Sequence, residues 1–184
     1  LFYTTSGKNE YLDFFTNDAS DFTLWADRVI QNLRSDPCGV LEVQLRERRF
    51  VRCTLTENDV VLKIEMVDDV PSRVGVPHHD PVLGLVDSAE NILANKLTAL
   101  VDRSEPKDLA DVWGFWRKMN LSLELALTGA QGKAVGLFAP DVARRLLGAS
   151  YDDWRLVRWI SAPEPSLWLS DLRELGESLL LIAK

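Results

Sequence analysis

Two sets of charged side chains sit among apolar neighbours in this sequence, and both could do chemistry. Asp13 lies between Leu12 and Phe14, and Glu65 lies between Ile64 and Met66. A carboxylate in such company is costly to desolvate unless a metal ion or a cation meets it, and hard divalent cations take oxygen ligands of this kind. Strand alternation also allows a solvent-facing placement for each, and spacing alone leaves both readings open. The second set is Lys96, Asp108 and Asp111. From a helix beginning near Ser88, residues Ile92, Leu93, Leu97, Leu100 and Val101 recur at the helical period, and Lys96 falls on the edge of that stripe. A lysine there must pair, snorkel or bind an anion. Ser104 as N-cap and Pro106 in the first turn would open a second helix, with Asp108 near its positive end and Asp111 one turn further on. Asp108 then either stabilises the helix terminus, orients Lys96, or takes a proton from a bound hydroxyl. Asp111 reads as a salt-bridge or packing residue, with Arg103 or Lys107 as its partner.

The elements that must position these groups fall into two kinds. Residues 12–16 read as a short buried strand, and 21–34 as an amphipathic helix with Phe22, Trp25, Val29, Ile30 and Leu33 on one side. Stretches 40–47, 49–55 and 60–67 suit strands of a mostly antiparallel meander, with 60–62 apolar enough to be interior. The proline- and glycine-containing stretch 68–85 reads as a loop, and beyond Ser88 every strong pattern is helical. The helices are expected at 88–101, 105–119, 122–129, 140–147, 152–160 and 166–182. The fold class is α+β: a mixed sheet region over 1–86 packed on a C-terminal helical bundle over 87–184, the two forming one compact unit with the site at their junction.

The 184 residues, 46% of them hydrophobic, can bury a substantial core. A net charge of −7 argues against indiscriminate binding to nucleic acid or anionic membrane, although Arg46, Arg48, Arg49 and Arg52 form a local basic cluster. Arg144, Arg145, Arg155 and Arg158 are a second place where RNA could be met. No apolar run approaches the roughly 20 residues a bilayer span needs, and no leader precedes Leu1, so the chain is expected in the cytoplasm, away from membranes. Cys38 and Cys53 lack metal-ligand spacing and are expected as reduced thiols. His78, His79 and Asp80 are adjacent in a loop and do not read as a zinc site, because neighbouring side chains seldom converge on one ion. Trp113, Trp116, Trp154 and Trp159 fall at core spacings of the helical part.

Three stretches, in order, carry a family likeness: Leu12-Asp13-Phe14-Phe15-Thr16; Leu62-Lys63-Ile64-Glu65-Met66-Val67 followed by Asp69 and Pro71; and Lys96-Leu97-Thr98-Ala99-Leu100 followed by Arg103, Pro106, Lys107, Asp108 and Asp111. In these the chain resembles the AbiEii/AbiGii-toxin-like nucleotidyltransferases, which include the tRNA-modifying MenT group. The resemblance covers 12–116. It implies transfer of a nucleotidyl group from an NTP to an acceptor such as tRNA or another RNA, with Mg²⁺, and a possible cognate antitoxin as partner. Carried over residue by residue, it makes Asp13 and Glu65 catalytic metal ligands, Lys96 the cation that faces the nucleotide phosphates, and Asp108 a catalytic residue beside it. On this reading Lys96→Ala abolishes transfer and leaves the fold intact.

The departures are as specific as the matches. Tyr11 stands where the family usually has a first aspartate, Glu65 stands where aspartate is commoner, and no Gly-Gly-Ser/Thr turn precedes the first strand. Residues 4–9, with Ser6, Gly7 and Lys8, are the stretch that could supply a phosphate cradle instead. A degenerate member acting as a binding or regulatory module is the alternative that these departures favour.

Overall fold

The computed structural model describes residues 9–16, 21–35, 39–134 and 137–182. They divide into two compact units, the first ending at Pro71 and the second beginning at Ser72. Ser6, Lys8 and Cys38 lie outside the described residues.

The first unit contains β1 (Asn9–Thr16), α1 (Phe22–Ser35), β2 (Val40–Arg46), β3 (Phe50–Glu57) and β4 (Val60–Asp68). The strand order is β1-β4-β3-β2. β2, β3 and β4 form the antiparallel meander, and β1 is added parallel to β4, so the sheet is mixed. The β3–β4 connection is two residues long, and Asn58 and Asp59 both take positive φ, of 47° and 64°. That is the type I′ geometry whose twist matches paired strands, and Asn and Asp tolerate it better than most residues. Val60 follows this turn at the end of the sheet and is 42% exposed, so the interior placement expected for 60–62 does not hold there. One sheet face is covered by α1. Phe22, Ala26 and Ile30, four residues apart on the helix, pack on Val51 and Cys53 of β3 and on Ile64 and Met66 of β4. Each large side chain buried there contributes on the order of 1.5–3 kcal/mol.

The second unit opens with a hairpin of β5 (His78–Asp80) and β6 (Gly84–Val86), within a stretch that reads as loop. Asp80 closes it by accepting hydrogen bonds from the backbone N–H groups of Val82 and Leu83, both at 2.8 Å. Helices follow at α2 (Ala89–Asp102), α3 (Pro106–Arg117), α4 (Leu123–Lys133), α5 (Ala139–Leu147), α6 (Tyr151–Leu156) and α7 (Pro165–Ile182). Their shared core includes Leu93, Leu97 and Leu100 of α2, Val112 of α3 and the fully buried Trp168 of α7. Trp159 meets both Trp113 and Trp168 edge to face, with centroids 6.1 and 5.9 Å apart.

This unit starts at Ser72 rather than at 87 because the preceding chain is tied to the helices. The Val74 N–H donates to Asn91 Oδ1, and the Ser88 hydroxyl, which caps α2, donates to the Val74 carbonyl. Gly129 lets the backbone of α4 approach that chain closely, since a Cβ there would lie 1.9 Å from Val74 Cγ2. No helix among the described residues is long and apolar enough to cross a membrane.

Candidate active site

In the first unit, Asp13 of β1 and Glu65 of β4 are register partners on neighbouring parallel strands. Register partners project to the same face, and the backbones of adjacent strands run about 4.8 Å apart. Ile64 and Met66 point into the α1 core, so the intervening Glu65, and Asp13 with it, belong to the opposite face. Asp13 is exposed, whereas the Glu65 side chain keeps only 18% of its surface open.

Two cations from the same face hold Glu65. Arg52 of β3 is its antiparallel register partner, and Lys63 lies two residues earlier on β4. Arg52 Nε and Nη2 and Lys63 Nζ all stand 2.8 Å from Glu65 Oε1. Partial burial by itself would raise the Glu65 pKa, but hydrogen bonding and charge from Lys63 and Arg52 outweigh it and hold the carboxyl below the ordinary glutamate value. Lys63 Nζ also sits 4.5 Å from the centroid of the Tyr11 ring. The tyrosine in the expected aspartate's place therefore carries a cation against its π-face. Lys63 and Arg52 were not anticipated as part of this constellation. The signal was present in the two-residue spacing of Lys63 and Glu65, which puts both on one face of any strand.

The basic cluster read from Arg46 to Arg52 is dispersed rather than gathered. Arg46 pairs with Asp27 of α1 at 2.7 Å, Arg49 Nε donates to Asp68 Oδ2 at 2.8 Å, and Arg52 belongs to Glu65. In the second unit, Arg144 and Arg155 lie 3.6 and 3.8 Å from the aspartates one turn before them, Asp141 and Asp152. Arg145 Nη2 donates to the Val101 carbonyl.

Also in the second unit, Lys96, Asp108 and Asp111 are brought together by the α2–α3 hairpin. Lys96 Nζ is 2.6 Å from Asp111 Oδ2 and 3.9 Å from Asp108 Oδ1. Lys96 is thus a close partner of Asp111, and Lys107, one of the partners the sequence offers, pairs with Glu105 at 2.7 Å. Arg103 instead grips Asp108 in two-pronged fashion, Nε to Oδ2 at 2.9 Å and Nη2 to Oδ1 at 2.8 Å. Asp108 is fully buried and Asp111 nearly so, while the Lys96 side chain keeps a quarter of its surface open. The N-cap of α3 is Glu105, without a side-chain hydrogen bond, and not Ser104. Ser104 takes φ of +55° and its N–H returns to the Ala99 carbonyl, so it closes α2 rather than opening α3.

This geometry sorts the readings left open for Asp108. A buried carboxylate with an arginine on both oxygens is suited to fixing the hairpin and orienting Lys96, and poorly placed to accept a proton from a bound hydroxyl. Among the described residues, no group of three or more His, Cys, Asp and Glu side chains is arranged to hold a metal ion.

The chain shares its fold with solved structures from Helicobacter pylori. It is similar to JHP933, with a TM-score of 0.57 and 16% identity over 95% of this chain and 76% of that one. It is also similar to a protein described as a "putative nucleotidyltransferase", with a TM-score of 0.54 and 20% identity over 95% and 79% of the two chains. No family model and no curated protein matches the sequence. At such identities the likeness establishes a nucleotidyltransferase-like α+β fold.

Proposed function

We propose that this chain is a nucleotidyltransferase of the AbiEii/MenT-like toxin type, acting in the cytoplasm to move a nucleotidyl group from an NTP to an acceptor such as tRNA. The observation that carries the proposal is the pairing of Asp13 with Glu65, in register on neighbouring parallel strands and on the sheet face that α1 leaves free. The fold likeness and the three ordered sequence stretches support it. In this reading Lys96 offsets negative charge on the nucleotide, and Asp108 and Asp111 hold Lys96 in place.

Magnesium is the cofactor that the resemblance implies, and Asp13 and Glu65 are the residues that would hold it. Their oxygens have the right chemistry, but the set as a whole does not fit a divalent ion. Three cationic nitrogens of Arg52 and Lys63 already crowd Glu65 Oε1, and Tyr11 replaces the further carboxylate. The ion pairs of Glu65 with Arg52 and Lys63, with Tyr11 in the aspartate's place, favour a second reading, a non-catalytic member of the fold that serves as a binding or regulatory module.

Incubating the protein with each labelled NTP, Mg²⁺ and total cellular RNA or protein separates the two. Label entering RNA, and lost in Asp13→Asn, supports the transferase. Binding of an NTP with no label transferred to any macromolecule overturns it in favour of the module.

A further inference from the structure

We propose that the acidic pair on the open sheet face is served by internal cations, Lys63 and Arg52, and that the protein by itself holds no divalent metal ion there. Neighbouring carboxylates in a sheet repel one another and need a counter-charge close by. A metal ion is one solution, and this chain contains another. Around the pair this face sets Asp13 and Glu65 against Lys63 and Arg52, so these four groups sum formally to zero, while Glu42, the register partner of Thr54, is a further carboxylate of the same face on β2. A divalent ion is drawn to a site with surplus negative charge and with lone pairs free to coordinate. Here Glu65 Oε1 already has three cationic nitrogens, Arg52 Nε and Nη2 and Lys63 Nζ, at 2.8 Å.

Tyr11 completes the arrangement. An aspartate at that position would add a third carboxylate to the face, because residues 11 and 13 alternate to the same side of β1. The tyrosine instead presents its ring to Lys63 at 4.5 Å. The ammonium is thereby held in place between an aromatic face and a carboxylate oxygen. This inference concerns the resting protein and holds whichever of the two functional readings is correct.

The test is Mn²⁺ binding to the full chain, followed by the loss of free-ion signal in electron paramagnetic resonance. Wild type is expected to show no saturable site at submillimolar Mn²⁺ and to behave like Asp13→Asn. The double variant Lys63→Met/Arg52→Met, with its fold checked by circular dichroism, is expected to gain one saturable site at least tenfold tighter. Adding Asp13→Asn to it should remove that site. A wild-type site of one equivalent that disappears in Asp13→Asn would overturn the proposal, as would a folded double variant with no gain. Should the double variant not fold, the comparison of wild type with Asp13→Asn still decides, and neither result depends on whether label reaches RNA.

Discussion

Replacing Lys96 by methionine keeps an unbranched apolar stem of similar reach and removes the ammonium. Its loss takes from Asp111, whose side chain is 5% exposed, the cation that stands 2.6 Å away, while Asp108 keeps the two-pronged grip of Arg103. Removing one partner of a buried ion pair costs about 3–5 kcal/mol, because the charge that remains is still desolvated. Lys96 has a quarter of its side chain open to water, so the lower end applies and about 3 kcal/mol is expected. For a unit of this size that lowers the melting temperature by roughly 10 °C. Tryptophan emission during urea or thermal unfolding is a suitable assay, because of the six tryptophans only Trp25 lies outside the second unit. The companion variant Lys96→Met/Asp111→Leu removes both charges and should recover most of the loss, since an apolar pair of similar volume often replaces a buried ion pair at little cost. A single variant within about 0.5 kcal/mol of wild type, or a double variant no better than the single, would refute the reasoning. Lys96→Ala, which the sequence pattern suggests should leave the fold intact, should destabilise as well, so its effect on transfer has to be measured where the variant is still folded.

Other outcomes follow from the same contacts. Glu65 has its pKa depressed in the folded state, so the stability it contributes is present above the unfolded value and is lost as pH falls through the folded one; acid unfolding of the first unit below about pH 4.5, followed by circular dichroism, should be less steep in Glu65→Gln. In a Cys38→Ser background Cys53, fully buried and with its thiol pKa raised by that burial, should react with a thiol reagent only as fast as the first unit opens, and rapid labelling under native conditions would contradict the packing described. Gly129→Ala should destabilise the second unit by about 1–3 kcal/mol in a urea titration, and Val74→Ala in the same chain should relieve part of the loss.

The elements with a clear period were legible in the sequence. The α1 and α2 stripes, the C-terminal helices and the three meander strands lie close to where alternation and helical spacing put them. The β5–β6 hairpin was not, because prolines and glycines mask strands of three residues and the hairpin depends on the Asp80 side chain closing its turn. The assignment of Ser104 failed for a related reason. Residue type marks it as a cap, yet the backbone needs it at positive φ to leave α2, and Pro106 then fixes the start of α3 one residue later than that cap implies. Asp13 and Glu65 could be singled out by their apolar neighbours, but their pairing is a matter of register, which no local pattern states. Arg52 is hidden in the same way, reading as one of a run of arginines until β3 is aligned against β4, whereas the two-residue spacing of Lys63 from Glu65 is visible in the sequence.

The parallel seat of β1 beside β4 has a kinetic side. β2, β3 and β4 are joined by short connections and can pair as they emerge from synthesis, whereas Asp13 meets Glu65 only after the chain closes over the 51 positions between 13 and 65. Of these four strands β1 is made first and housed last, and the acidic pair comes into being at that docking. Until then a segment with Tyr11, Phe14 and Phe15 waits with its backbone unpaired, and even in the finished sheet it is an edge strand with these three aromatics substantially exposed. Slow elongation ahead of β4, or any lesion that delays the β3–β4 turn, prolongs the interval in which that segment can pair with another chain instead.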